Sequence, residues 1–335
     1  MSSFELSAST NNPQVDLLLQ SLVGIYQAVF PERLRCLYVI GSYSDGSAVP
    51  GSDLDVGVVF TEPLTDEQLV QFRQINHALA RISPVRLDCG TVSLQRFTNG
   101  IPAGLKAALV VYGENVFAGL PLEPIERALR RGMSNTFHSL YVLRQRDEGL
   151  VYPLKYPDPE GEFYGYERWG TYLGERNFGP GVRSLVTSVT LIASCLVMLQ
   201  ASQPVASKRE SVLAYQRYVG DDWTEFVQQA YTLGKETWHY QLPERPKARR
   251  QFRGLCAQML NFENHFLTRC RKSVLDDLTH REKTIQEMAL YRLKQIAYSG
   301  EDYIMALTTL HAGQEVQLAQ SAESILDKLQ RGISS

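Results

Sequence analysis

What the sequence lacks argues against several protein classes. Its five cysteines are scattered without a CxxC pair, which argues against a zinc module or a disulfide scaffold. A formal net charge of −2 gives no general attraction to nucleic acid. The opening MSSFELSAST has no basic and apolar signal segment, and no apolar run approaches the ~20 residues that span a bilayer. We therefore expect a cytoplasmic protein with reduced thiols and no membrane contact, for which nucleic acid is a poor partner.

The rest of the composition is that of an ordinary globular protein. Apolar residues make up 44% of the chain and charged residues 21%. At 335 residues, the chain is long enough for two domains and a sizeable core. Oligomeric state does not follow from these quantities.

The first third of the chain alternates helical and strand-like patterns. Thr65 is a predicted helix N-cap because Asp66 and Glu67 follow it in the first turn. The predicted order is helix, strand, strand, helix, strand, and the segments are 13–30, 37–40, 54–60, 65–81 and 85–94. The stretch GLPLEP (119–124) is a predicted linker.

The remaining two thirds show mainly helical spacing. The predicted fold is α+β, with a small mixed-sheet domain at 1–122 and an all-α helical domain at 123–335. A further helical extension starts at about residue 275. The segments with helical spacing are 125–146, 181–201, 207–219, 221–239, 247–270 and 281–330.

Three aspartates form a candidate metal site. Asp53 and Asp55 stand at i and i+2 of a predicted strand, so both carboxylates project from one face. Two adjacent carboxylates repel each other unless a cation lies between them, and oxygen ligands of this kind suit Mg²⁺. Asp88 lies in the third strand and would complete the cluster if that strand neighbours the second. Gly57 shares the face of Asp53 and Asp55 and is expected to leave space beside them.

The residues before these aspartates are a candidate phosphate site. Gly41 follows a strand and permits close approach of a ligand to the backbone. A helix starting near Tyr43 or Ser44 would direct N–H groups at a phosphate, and Ser42 adds a hydroxyl group. The alternative is a hairpin turn followed by a surface Asp-x-Asp. In either case, 43–51, including Asp45, is expected to shape the loop.

The pattern Gly41-Ser42-x3-Gly46-x5-Ser52-Asp53-x-Asp55 resembles the signature of the DNA polymerase β-like nucleotidyltransferase superfamily, including its spacing. The resemblance covers about residues 30–120. It implies that the Gly-Ser pair and Ser52 contact the nucleotide and that the Asp pair binds two Mg²⁺ ions. Asp88 matches the third acidic position, which deprotonates the acceptor hydroxyl in members that act on small molecules. The co-substrate would be ATP or another NTP.

A second resemblance concerns the region around residues 190–234, which is similar to the helical region of aminoglycoside nucleotidyltransferases of the streptomycin/spectinomycin type. It implies that Lys208 contacts the triphosphate. Ser207 and Glu210 form a predicted capping box, which places Lys208 at a helix N-terminus. The alternative is a lysine in a solvated first turn. The sequence departs from that type because 185–200 contains no arginine, for which Arg183 is the nearest substitute.

Two charged segments bear on the acceptor. Residues 156–167 combine Asp158, Glu160, Glu162 and Glu167 with aromatic rings and contain no Lys or Arg, which suits a cationic or sugar-like acceptor. A solvated acidic loop is the alternative. The run RPKARRQFR (245–253) suits RNA, or else it is the solvated face of a helix.

The function predicted from these residues is transfer of an NMP, AMP from ATP, to a hydroxyl group of a small molecule with Mg²⁺. An aminoglycoside-like acceptor is one candidate. A nucleotidyltransferase acting on a protein or an RNA end is an alternative. So is a non-catalytic nucleotide-binding regulator.

Overall fold

The computed structural model describes residues 5–144, 149–168, 180–313 and 315–333. The chain divides into two compact units. The first comprises residues 1–125 together with 204–211, and the second comprises 126–203 and 212–335. The fold is mixed α+β, as predicted: a four-stranded mixed sheet lies in the N-terminal region, and the rest is mainly helical.

The first unit is built around the sheet in the order β3-β2-β1-β4. Strand β1 pairs antiparallel with β2 and β4, whereas β2 pairs parallel with β3. The strands are Leu34–Ile40 (β1), Asp53–Phe60 (β2), Arg86–Thr91 (β3) and Leu109–Gly113 (β4). The helices are Pro13–Val29 (α1), Asp66–Ile82 (α2) and Ala103–Lys106 (α3), with 3-10 turns at Gly41–Tyr43 and Leu94–Phe97.

Local chemistry explains where the two long helices of this unit begin. The Asn12 side chain accepts hydrogen bonds from two N–H groups of the first turn of α1. Thr65 and Gln68 form a reciprocal capping box at the start of α2, which confirms Thr65 as the N-cap. Strand β4 was missed by the sequence prediction. The predicted third strand ended at Leu94, but β3 ends at Thr91, and Leu94 begins a 3-10 turn.

The two faces of the sheet carry different layers. Leu54, Val56 and Val58 of β2 face a core that includes the buried side of α1. The opposite face carries a smaller apolar cluster around Tyr38 and Val59. Because side chains alternate along a strand, Asp53 and Asp55 lie on the face of Val59.

The second unit is mostly helical. A buried ion pair joins Arg144 to Glu263, whose side chains are 3% and 0% exposed, and the Tyr166 hydroxyl donates to Glu263 at 2.9 Å. A two-residue parallel pair connects Leu150–Val151 (β5) with Ile296–Ala297 (β6). The helices are Ile125–Arg144 (α4), Arg183–Ala201 (α5), Lys208–Tyr218 (α6), Thr224–Tyr231 (α7), Pro246–Leu278 (α8), Lys283–Gln295 (α9), Glu301–His311 (α10) and Val316–Ile333 (α11), with a π-helix at Thr232–Thr237.

Helix α5 corrects the expectation about apolar runs. It has 19 residues, and an 18-residue window within it has a mean hydropathy of 1.8, so by length and composition it is long and apolar enough to cross a membrane. However, 67% of its apolar window is buried inside the structure, as in a core helix, so it is weak evidence for a membrane span. Arg183 at its first position is 6% exposed, and its guanidinium lies 4.1 Å from the Tyr240 ring centroid. Arg183 is therefore packed against an aromatic ring, which does not favour it as a substitute phosphate ligand.

Candidate active site

The sheet brings the three predicted carboxylates to one face. Asp53 and Asp55 are half-buried on β2, between inward-facing neighbours such as Leu54. Strand β3 is the parallel neighbour of β2, and Asp55 is paired with Asp88 across the two strands. Residues in register on neighbouring strands project to the same side, so the condition set for Asp88 is met. The Asp88 side chain is exposed and therefore accessible to a substrate.

Gly41 permits the Asp55 carboxylate to lie close to the backbone. It has φ +75°, in the left-handed region that favours glycine. A Cβ atom at this position would lie 3.0 Å from Asp55 Oδ2. Across β1 and β2, Ile40 is the register partner of Asp55, which brings the end of β1 to this carboxylate. Gly41 is thus required by backbone conformation and by space.

The turn after β1 differs from the prediction. Instead of a helix starting near Tyr43, residues Gly41–Tyr43 form a single 3-10 turn. The N–H groups of Ser44 and Asp45 donate to the Gly41 carbonyl at 3.1 and 3.2 Å, so neither is directed at a ligand. Ser42 is half-buried at the second position of this turn, and its role in nucleotide binding stays a prediction.

The loop between the turn and β2 is held by its own side chains. Asp45 accepts hydrogen bonds from the Ser47 N–H at 3.0 Å and the Ser47 hydroxyl at 2.6 Å, which confirms its turn role. Ser52 is buried, and its hydroxyl oxygen accepts the Val49 N–H at 3.0 Å. Ser52 thus closes the loop just before Asp53, while its predicted contact with the nucleotide remains untested.

Two further residues border the carboxylates. Arg86 is the register partner of Asp53, so its side chain leaves β3 on the same face of the sheet. The Tyr43 side chain is 7% exposed. Burial raises the pKa of its hydroxyl, and the negative charge of Asp53 raises it further. The sequence showed Arg86 on the same strand face as Asp88, but its pairing with Asp53 depends on strand register.

The residues of this site fit a divalent cation whose remaining ligands come from a bound nucleotide. Among the described residues, no group of three or more His, Cys, Asp or Glu side chains is arranged as a ready metal cage. Mg²⁺ is ordinarily held by one or two protein carboxylates, with substrate phosphates and waters as the other ligands. Asp53 and Asp55 supply two carboxylates on one strand face, which matches that division of ligands.

Gly57 does not leave the expected space beside the aspartates. It is the register partner of Tyr38 on β1, and the Tyr38 ring occupies the position that a Gly57 side chain would take. This ring also packs edge-on against Phe117, with 4.9 Å between the centroids. The apolar cluster of this face therefore extends as far as Gly57 and leaves the aspartates at its border.

Lys208 belongs by contacts to the first unit, although it is far along the chain. The segment 204–211 clusters with residues 1–125. The Ala206 carbonyl lies 3.3 Å from where a Cβ atom of Gly104 would stand. Ser207 accepts the Glu210 N–H at 3.2 Å, and Lys208 is the first residue of α6, as predicted. The Glu210 carboxylate accepts the Ala206 N–H at 2.6 Å instead of the Ser207 N–H, so the predicted capping box forms only in part. This placement is compatible with a role for Lys208 at the nucleotide, which stays a prediction.

A cavity of about 520 Å³ lies behind the loop. It is lined by Tyr43, the loop residues 48–52, and residues 84–86 at the start of β3. Tyr43, Ala48 and Val85 belong to the core on the helix-covered face of the sheet. The cavity therefore adjoins the loop but is not lined by the three aspartates.

The two charged segments of the second unit pair with each other. Arg249 forms a bidentate ion pair with the Glu162 carboxylate, and its guanidinium lies 4.9 Å from the Phe163 ring centroid. Arg253 donates to the Glu162 carbonyl and lies 4.4 Å from the Tyr164 ring centroid.

Arg168 pairs with two further acids of the loop, with Asp158 and, at 3.8 Å, with Glu167. Three of its acids therefore have an arginine partner within the second unit, which weakens the interpretation of this loop as a free anionic pocket. The contacts with Glu162 also engage Arg249 and Arg253, two arginines of the basic run 245–253. Trp169, an aromatic residue that follows this segment closely in the sequence, lies outside the described residues.

Residues 32–108 match the family model described as the nucleotidyltransferase domain. The matched range contains the turn, the loop and all three aspartates. It supports placing the N-terminal domain in the polymerase β-like nucleotidyltransferase superfamily, and it supports a nucleotidyl-transfer activity in general. No curated protein matches the chain.

Proposed function

We propose that this protein is a magnesium-dependent enzyme that moves a nucleoside monophosphate from a nucleoside triphosphate to a hydroxyl group of a small molecule. The proposed donor is ATP and the transferred group is AMP. The observation that carries the proposal is the pairing of Asp55 with Asp88 on parallel strands, with a Cβ position at Gly41 only 3.0 Å from Asp55 Oδ2. The family match over the same residues supports it.

The proposed roles follow from the chemistry of each group. Gly41 and Ser42 lie against the nucleotide phosphates, and Lys208 neutralises part of their charge. Asp53 and Asp55 would hold Mg²⁺, which supplies charge neutralisation at the transferring phosphate when bound. Two ionised carboxylates on one strand face repel each other, and a bound cation would reduce that repulsion.

Asp88 is proposed as the general base. Its carboxylate accepts the proton of the acceptor hydroxyl, and the resulting oxygen attacks the α-phosphorus of the nucleotide. The bond from the α-phosphorus to the bridging oxygen breaks, and pyrophosphate leaves with the electron pair. Exposure of Asp88 on the same side as Asp55 supports this assignment, because an acceptor has to reach the base from solvent.

The acceptor is proposed to be a small molecule, and an aminoglycoside-like compound is the first candidate. The support is the likeness of the region around residues 190–234 to aminoglycoside nucleotidyltransferases. The pairing of Glu162 with Arg249 removes one expected contact for a cationic acceptor. The same ion pair engages one arginine of the basic run 245–253, which weakens the RNA alternative. Cytoplasmic location is part of the same proposal.

A labelled-nucleotide screen tests the proposal. α-Labelled ATP, GTP, CTP and UTP are incubated separately with the protein, Mg²⁺ and either streptomycin, spectinomycin or a small-molecule cell extract. The expected result is label transfer to an acceptor from one NTP, with release of pyrophosphate. Pyrophosphate release without a labelled acceptor would indicate hydrolysis and reject transfer. No reaction with any NTP and extract would reject the enzyme.

A further inference from the structure

A second cavity lies at the other end of the sheet from the aspartates. Its volume is about 550 Å³, and it is bounded by the ends of β2 and β3, the loop 61–64, one side of α2 and residues 92–96. Strand β2 runs from Asp55 to Phe60 between the two places, a distance of roughly 17 Å. The nucleotide site described above therefore does not include this cavity.

Arginine dominates the charge of this cavity. Arg35, Arg73 and Arg96 line it, and Glu62 is the single acidic residue among its lining residues. Arg35 pairs with Glu114 at 3.1 Å, in an ion pair whose side chains are 38% and 66% exposed. No ion pair or side-chain hydrogen bond joins Arg73 or Arg96 to any residue in the described part of the chain. Two guanidinium charges thus border one concave surface without a carboxylate partner.

Hydrogen bonds fix two walls of the cavity. Arg33 donates to the carbonyl oxygens of Glu62 and Pro63 at 3.2 and 3.1 Å and to Gln68 at 2.6 Å. These bonds hold the loop 61–64 to the start of α2. The Val92 N–H and the Thr91 hydroxyl both donate to the Val58 carbonyl, which anchors the opposite wall. Hydrogen bonds therefore hold both loops that form the cavity in place.

We infer that this cavity binds a phosphorylated small molecule carrying two or more phosphate charges. Guanidinium groups match phosphate oxygens in bidentate geometry and are the preferred partners of phosphate. The volume falls within the range of small-molecule sites.

The lining of the cavity also indicates what kind of group could be attached to the phosphates. Phe60, Leu64, Leu69 and Leu94 supply apolar surface next to the arginines. An organic group attached to the phosphates would cover that surface, whereas inorganic polyphosphate would use the arginines alone. Both an organic phosphate and inorganic polyphosphate would bind through their phosphate groups, and experiment can distinguish the two ligands.

Titration calorimetry with inorganic triphosphate in EDTA tests the inference, since EDTA removes any metal-dependent binding at the aspartates. The wild type is compared with the Arg73→Gln/Arg96→Gln double variant. Arg81→Gln is the matched control, because Arg81 is exposed on the same helix α2 but does not line the cavity. A third variant, Glu62→Gln, removes the single acidic charge of the lining.

We expect binding by the wild type and by Arg81→Gln, and affinity at least about tenfold lower in the double variant. Glu62→Gln should bind more tightly than the wild type. ATP binding more tightly than triphosphate, through the same arginines, would identify an organic phosphate as the ligand, and equal affinities would identify the phosphates alone. Absence of binding, or equal affinity in the wild type and the double variant, would overturn the inference.

Discussion

Gly41 and Asp55 approach so closely that a single added methyl group would disturb the site. A Cβ atom at Gly41 would lie 3.0 Å from Asp55 Oδ2, and Gly41 has φ +75°. Gly46 in the following loop has a similar φ of +71° but no atom within 4 Å of its own Cβ position. The two glycines share the backbone conformation and differ in their neighbours.

Substitution of these two glycines separates strain from crowding. Gly41→Ala should lower transfer by about a hundredfold or more, because the Asp55 carboxylate must move. Both Gly41→Ala and Gly46→Ala should lose about 1 kcal/mol of stability from the positive φ. Gly46→Ala should retain most of its activity. Steady-state rates and urea unfolding of both variants check this, and equal loss of activity in the two would show that crowding at Asp55 is not the cause.

Gly57 and Gly90 form a second matched pair, this time for stability. They are register partners on β2 and β3, but the Tyr38 ring fills the position of a Gly57 side chain, whereas nothing lies within 4 Å of that position at Gly90. Gly57→Ala should destabilise the protein by about 1–3 kcal/mol, through overpacking. Gly90→Ala should change the free energy of unfolding by less than about 0.5 kcal/mol. Chemical denaturation measures both, and similar values would contradict the packing described for Tyr38.

The basic run of α8 should not bind RNA. Arg249 and Arg253 are engaged by the loop that carries Glu162 and Tyr164. We expect no change in the fluorescence anisotropy of single-stranded RNA at low salt. Glu162→Gln should leave the stability close to that of the wild type, because the Arg249–Glu162 pair is partly exposed. RNA binding by the wild type that weakens steeply with salt would contradict this assignment.

Lys328 gives the stability a specific pH dependence. Burial lowers its pKa to about 8. Between about pH 8 and the ordinary lysine value near 10.4, the unfolded chain binds more protons here than the folded chain, so the Lys328 contribution to stability increases with pH. Relative to Lys328→Met, the wild type should therefore gain on the order of 1 kcal/mol from pH 7 to pH 10, after allowance for partial exposure. Parallel denaturation curves test this, and a constant difference would contradict it.

The local part of the site followed from the sequence. Alternation along a strand was enough to place Asp53 and Asp55 on one face, and turn chemistry was enough to assign Asp45 to the loop. The capping residues of α2 and α6 were also visible, because a cap involves neighbours within one helical turn.

The non-local part did not follow. Nothing in the local pattern states that β3 lies parallel to β2 with Asp88 beside Asp55, nor that Tyr38 covers Gly57. The pairing of Glu162 with Arg249 joins residues 87 positions apart. The sequence showed two charged segments, and only the fold shows that they meet.

Strand β4 was missed for a related reason. Its five residues LVVYG show no regular alternation of apolar and polar side chains, and their pairing partner is the distant β1. Short apolar runs of this kind are ambiguous in sequence, because register with another strand decides their structure.

The proposed function depends most directly on whether Asp53, Asp55 and Asp88 carry out nucleotidyl transfer. The decisive measurement is label transfer from the α-phosphate of an NTP to an acceptor with Mg²⁺, for Asp53→Asn and Asp88→Asn beside the loop control Asp45→Asn. Transfer should fall at least about a thousandfold in Asp53→Asn and a hundredfold in Asp88→Asn, with Asp45→Asn close to the wild type. Wild-type transfer by folded Asp53→Asn would contradict the central claim.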